Sequence, residues 1–194
     1  MASSRYPERD FILYCDTSAF VKLFLEEEYS RQLRTFVDDK KCIRIAVCRI
    51  TWVEAKSTLR RKERQEVQDL SAIVNNVKKL TTRYPKQKEF RESVQRFVDE
   101  MTSLARESHQ KAHQKLEESW KDFTLIDVSD SVLNKAGELS AQVPLKGYDS
   151  VQLAAAHALQ LEMGQASLLV FGCFDRQLIC AAKQLGMRVL QDLL

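Results

Sequence analysis

The spacing of apolar residues changes along this chain, and the changes mark its elements. Two early runs, FILYC at 11–15 and CIRIAVC at 42–48, are rich in β-branched and aromatic residues and bounded by charge or by helix starts. Such runs predict strands. FTLIDV at 123–128, SLLVF at 167–171 and RVL at 188–190 have the same character. Between the runs, apolar positions recur every three or four residues, which predicts helices over 18–27, 30–38, 51–61, 130–141, 149–163 and 176–185. Gly164 and Gly186 stand where helix C-terminal caps belong. Strands alternating with helices predict an α/β fold whose mainly parallel central sheet is covered on both faces.

The middle of the chain departs from this alternation. Val67, Leu70, Val74, Val77 and Leu80 keep one helical register, and Phe90, Val94, Phe97, Met101, Leu104 and Leu116 keep a second. TTRYPKQ separates them, with Pro85 restricting Tyr84. The pattern predicts an antiparallel helical hairpin inserted at about 62–120 into a single domain spanning 1–194, a length that suits one substantial core.

Composition excludes several classes. With 44% hydrophobic and 29% charged residues, 5 Gly and 3 Pro, the chain has the make-up of a helix-rich globular protein, not a disordered or fibrous one. No apolar run approaches a membrane span, and MASSRYPERD lacks the apolar segment of a signal peptide, so a cytoplasmic protein without a membrane partner is expected. Cys15, Cys42, Cys48, Cys173 and Cys180 show no C-x-x-C spacing and are expected to be small reduced core residues. His109 and His113 are four residues apart, but the intervening QKA lacks the Glu of a zincin helix, and a solvated helix face is expected.

Charge is unevenly spread. The net charge is +3, yet residues 59–121 carry 15 Lys and Arg against 10 Asp and Glu, an excess of +5. RRKER followed by Lys78, Lys79, Arg83, Lys86 and Lys88 would favour RNA, although solvated helix faces use such runs more often.

The acidic residues that end strands or open helices carry the candidate chemistry. Asp16 follows the first strand, Glu54 lies one turn into the helix after the second, Asp149 opens the helix of GYDSVQLAAAHAL, and Asp175 follows the fourth strand. In a parallel sheet these places share the edge at the strand C-termini, where open α/β sheets bind ligands. Helix capping competes with catalysis for each residue. Asp16, Asp149 and Asp175 could satisfy free N–H groups, and Thr51 with Glu54 could form a capping box. Capping explains one acid per helix but not a shared edge. Four converging carboxylates would repel one another unless a cation lay among them, and an oxygen-only donor set suits Mg²⁺ or Mn²⁺. Such a site can activate water against a phosphodiester.

The segments LYCDTSAFVKLFLEEE, WVEAKSTL, LKGYDSVQLAAAHAL and LLVFGCFDRQLICAAKQLGMRVL resemble, in order and spacing, the four acidic motifs of the PIN-domain ribonucleases, especially the VapC toxins of toxin–antitoxin pairs. The resemblance covers the first 60 residues or so and about the last 70, leaving the helical insert outside it. It implies a three-layer α/β/α sandwich in which Asp16, Glu54, Asp149 and Asp175 bind Mg²⁺ or Mn²⁺ and support RNA cleavage. Thr17 and Ser18 fall where the family places hydroxyls that orient the first Asp or contact a phosphate. An antitoxin protein and a homodimer are the partners it implies. One departure is Cys173, a weak thiol donor where the family usually has Thr or Ser.

Two other readings compete. A phosphotransferase of the haloacid dehalogenase type would want a second Asp two residues after Asp16, where this chain has Ser18. A PIN-like module with little or no catalysis could instead bind RNA or protein through its basic arm. P-loop and G-x-G-x-x-G motifs are absent, which disfavours nucleotide-binding enzymes.

Overall fold

The computed structural model describes residues 11–39, 43–82, 87–164 and 168–194. Met1–Ala55 together with Ser119–Leu194 make one compact unit, and Lys56–Glu118 make another.

The first unit is built on a five-stranded sheet. Its strands are β1 (Phe11–Cys15), β2 (Ile43–Cys48), β3 (Thr124–Ile126), β4 (Leu168–Gly172) and β5 (Arg188–Val189), in the order β3-β2-β1-β4-β5. Every pairing is parallel, with Tyr14 opposite both Ala46 and Phe171. The order reverses at β1, because β2 lies on one side of it and β4 on the other. A reversal of this kind opens a crevice beyond the strand C-termini.

Helices cover the sheet because its central strands have two apolar faces. Alternate residues Ile12, Tyr14, Ala46, Cys48, Leu169 and Phe171 join a core with α5 (Asp130–Gln142), α6 (Gly147–Met163) and α7 (Arg176–Gln184). Leu153 to Ala156 of α6 are fully buried, and the small side chains let this helix approach the sheet closely. Leu13, Cys15, Val47 and Val170 face the opposite side and are equally buried. On the helices α1 (Thr17–Lys22) and α2 (Ser30–Asp39), Phe20 and Leu33 are buried too. Phe20 meets Phe24, Trp120 and Phe123, and Trp120 also meets Trp52. The architecture is the expected α/β/α arrangement around a parallel sheet.

Both predicted glycine caps are present. Gly164 ends α6 with φ 62°, and Gly186 follows α7 with φ 72°. At the second, Gly186 N–H donates to Lys183 and Met187 N–H to Ala182, the paired bonds of a Schellman ending.

Helix lengths differ from expectation in two places. The first helix stops at Lys22, not residue 27, and a turn carries the chain to Ser30. The helix expected to end at 61 runs on as α3 (Ile50–Thr81), for which the sequence offers no Gly or Pro to stop it. Its partner is α4 (Lys88–Ser119). The Tyr84–Pro85 break, with Arg83 and Lys86, lies outside the described residues, as does Cys42.

Within the second unit, Lys56 bonds Glu117 and His109 bonds Glu66, so the two long helices run antiparallel. Only part of each predicted register is buried, Val74 and Leu116 among them. Val98, Ala105, His109, Ala112 and Leu116 of α4 are buried, whereas Phe90, Phe97 and Leu104 are more than half exposed, as is Leu80 of α3. Small Ala residues take the seam because two helices come closest there, which leaves the larger apolar residues on a flanking face. His109, expected on a solvated face, is only 3% exposed. Cys180 is exposed, contrary to the core role expected of it, while Cys15, Cys48 and Cys173 are buried.

Candidate active site

Asp16 leaves β1 at the reversal of strand order. Its backbone N–H continues the ladder to Gly172 O at 2.9 Å. Its side chain caps α1, Oδ1 accepting from the Ala19 amide at 2.8 Å, and Ser18 Oγ donates to the same oxygen at 2.8 Å. Ser18 Oγ in turn accepts the Phe174 amide at 2.8 Å. One hydroxyl therefore ties the end of β1 to the loop after β4.

That loop carries Cys173 and Asp175. Asp175 caps α7, Oδ1 accepting from the amides of Gln177 and Leu178. The Cys173 thiol sulfur accepts the Asp175 amide at 3.2 Å. Burial, and then the nearby Asp16 carboxylate, push the Cys173 pKa upward, so the thiol stays protonated.

Glu54 is held by a different network, and the expected capping box is not formed. Thr51 lies inside α3 and accepts from Gln152 Nε2 at 2.9 Å. Glu54 Oε2 accepts from Thr17 Oγ1 at 2.5 Å and from Gln152 Nε2 at 2.9 Å. The Gln152 carbonyl oxygen accepts from Tyr14 Oη at 2.9 Å. Gln152 is 1% exposed and sits one turn along α6 from Asp149. Sequence reasoning missed this residue. The signal was a lone amide in the otherwise apolar run VQLAAA, since a polar side chain buried among alanines must find partners.

Asp149 does not cap its helix. Lys146 occupies the cap position, and Asp149 lies within the first turn of α6. Asp149 is thus not the N-cap residue, although a backbone hydrogen bond from Lys146 lowers its pKa, whereas Asp16 and Asp175 occupy the cap positions of their helices.

The electrostatics relate the four acids to one another. Burial pushes the Asp16 pKa from 3.8 up to about 6, against the lowering effect of bonds from Ala19, Cys173 and Ser18, with a further rise from Asp149. Asp149 is also raised, first by burial and then by Asp175 and Glu54, against Lys146. Each acid thus lies within the field of at least one other. Among the described residues, however, no three acidic, imidazole or thiol side chains are gathered closely enough to hold a metal ion. The donor chemistry fits a hard divalent cation, because oxygens predominate and the anionic forms of Asp16 and Asp149 are disfavoured without added positive charge.

The PIN-domain family model matches residues 13–184. The chain belongs to the PIN-domain family. PIN domains are generally nucleases and usually use Mg²⁺ or Mn²⁺. The matched stretch runs from within β1 to the end of α7 and includes all four acids and Gln152. A search of curated proteins finds no match. Among the described residues of this PIN domain, no helix is long and apolar enough to cross a membrane.

Proposed function

We propose that this PIN domain is a metal-dependent endoribonuclease, with Asp16, Glu54, Asp149 and Asp175 as the residues that would hold Mg²⁺ or Mn²⁺. The observation that carries the reading is that burial raises both Asp16 and Asp149, with Asp149 adding to the rise of Asp16, and Asp175 and Glu54 adding to that of Asp149. A folded protein that keeps anions in one another's field sacrifices stability, and a cation would offset that repulsion. Bound there, the ion would supply Lewis-acid activation of water and stabilise the leaving oxygen of an RNA phosphodiester. Ser18 would orient Asp16, and Thr17 with Gln152 would orient Glu54. Gln152 acts as a positioning residue in this scheme.

The test is cleavage of single-stranded RNA by the purified protein in Mn²⁺ or Mg²⁺. EDTA and the Asp149→Asn substitution are each expected to abolish cleavage. Cleavage that survives both would overturn the proposed site.

We further propose that the protein is the toxin of a toxin–antitoxin pair, that a small antitoxin protein inhibits it, and that it forms a homodimer. In this reading the chain is a single PIN-like domain with the helical pair as its inserted arm. The resemblance of the four motifs to VapC toxins supports it.

A second reading, a weakly active module that binds a protein, is favoured by the exposed Ile73, Leu80, Phe90, Phe97 and Leu104 of the long helices. These apolar residues favour a protein partner over RNA. Efficient metal-dependent cleavage, at many turnovers per molecule, would set this reading aside.

A further inference from the structure

We propose that Tyr29 and Phe174 form a stacking platform for one nucleobase of a single-stranded RNA, beside the acidic site. The inference rests on the nuclease reading for its substrate, but its geometry is independent of any metal. The Tyr29 and Phe174 rings lie nearly parallel, 17° apart in plane, with centroids separated by 5.7 Å. Lys22 Nζ stands 5.0 Å from the Phe174 ring centroid and is itself anchored by Glu27 at 3.0 Å. Tyr29 is 46% exposed, so the stack ends in a ring open to solvent.

The platform is tied to the proposed chemistry through the backbone. Phe174 lies between Cys173 and Asp175, and its amide donates to the hydroxyl of Ser18 that bonds Asp16. A base seated on Tyr29 would thus belong to a nucleotide close to the carboxylates. The Tyr29 backbone points the same way. Among the described residues it is the non-glycine with positive φ, 67°, a region that bulky side chains seldom adopt. Strain of this kind persists where the surroundings over-determine it, and it gathers at ligand sites.

A tyrosine face can take any base, because every base presents a π surface, and this tolerance suits a single strand whose bases are free to unstack. A duplex keeps its bases paired and stacked and offers the ring nothing. The Tyr29 ring would therefore contribute affinity for single strands without reading sequence, while Lys22, buried and paired with Glu27, would hold the Phe174 ring beneath it.

The experiment compares Tyr29→Asn and Tyr29→Trp, each placed in the Asp149→Asn protein so that RNA is not consumed. Asn removes the ring and tolerates positive φ, so the variant is expected to fold with a thermal midpoint no lower than its parent. Fluorescence anisotropy with a short mixed-sequence single-stranded oligoribonucleotide should show about tenfold weaker binding for Tyr29→Asn. Tyr29→Trp should bind at least as tightly as the parent. A duplex of the same sequence should bind equally to all three proteins. Equal single-strand affinity of Tyr29→Asn and its parent, or no RNA binding by the parent, would overturn the platform.

Cleavage by the wild type, run in parallel, reports separately on the nuclease reading. RNA cleavage together with unchanged binding in Tyr29→Asn would remove the platform and leave the nuclease. Absent cleavage with weakened binding in Tyr29→Asn would support the platform as an RNA-binding surface and remove the nuclease.

Discussion

Gln152 Nε2 donates to Glu54 Oε2 at 2.9 Å, joining the helix after β2 to the helix that carries Asp149. The same amide reaches Thr51 and Thr17, and its carbonyl accepts from Tyr14, so one buried side chain orients groups on three elements. Replacing Gln152 with Met keeps the approximate volume and strands these partners. Buried groups left unsatisfied cost about 1–3 kcal/mol each, and a loss of about 3 kcal/mol is expected in urea unfolding. Tyr14→Phe removes a single hydroxyl and should cost about 1 kcal/mol. If the two substitutions cost the same, the amide does not hold Glu54 in place.

The acidic site predicts a pH dependence. Asp16 has a pKa of about 6 in the fold against 3.8 for the free side chain. Between those values the folded protein holds a proton that the unfolded chain has released. The contribution of this group is therefore fully present below the lower value and is lost as pH rises through the upper one. Asp16→Asn retains an acceptor for the Ala19 amide and removes the charge. In EDTA-treated protein, the variant should gain on the wild type as pH rises, by about 2–3 kcal/mol once Asp16 is ionised. Urea unfolding at a series of pH values reads the difference, and a constant gap would contradict the elevated pKa.

Metal binding should appear in stability even where no substrate is present. Under the proposed function, Mn²⁺ raises the thermal midpoint of the wild type, because an ion that binds only the folded state stabilises it by mass action. A concentration a hundred times the dissociation constant would contribute about 2.7 kcal/mol. Asp149→Asn should respond much less. An equal rise in both proteins would place the bound ion elsewhere.

Adjacent residues of α4 provide a packing test. Phe97 is 58% exposed and Val98 only 3%. Phe97→Ser is expected to change stability by no more than about 0.5 kcal/mol, as surface changes usually do. Val98→Ser removes buried apolar volume from the helical seam and introduces a hydroxyl there, at a cost of about 2 kcal/mol or more. Far-UV circular dichroism during urea unfolding distinguishes them.

Cys173 offers a test within the proposed nuclease site. The buried thiol accepts the Asp175 amide at 3.2 Å and lies in the field of Asp16. Cys173→Ser supplies a stronger donor and acceptor at nearly the same place. Metal-dependent RNA cleavage should rise severalfold if the thiol limits activity. Unchanged cleavage in a folded variant would show that the sulfur suffices.

The sheet was legible because its strands are short apolar runs that need cover on both faces, and each predicted strand is present to within a few residues. FILYC matches β1 from end to end. The helical pair was legible as helices but not as a seam. Phe97 and Val98 are both apolar, and periodicity alone does not say which will face a neighbour when small residues such as Ala105 and Ala112 permit closer contact. The same limit hid His109, which is buried in the seam and meets Glu66 of the other helix.

The alternation of strands and helices, the glycine endings and the order of the acidic motifs are determined by the sequence, because hydrophobic period, backbone conformational freedom and capping act between residues a few positions apart. The tertiary structure decided which partners those residues meet. It drew Thr51 away from a capping box toward Gln152, set Lys146 and not Asp149 at the cap position of α6, and laid Tyr29 on Phe174, 145 positions along the chain. These relationships arise from folding distant segments onto one sheet edge, where burial and mutual charge alter the chemistry of side chains that are ordinary in isolation.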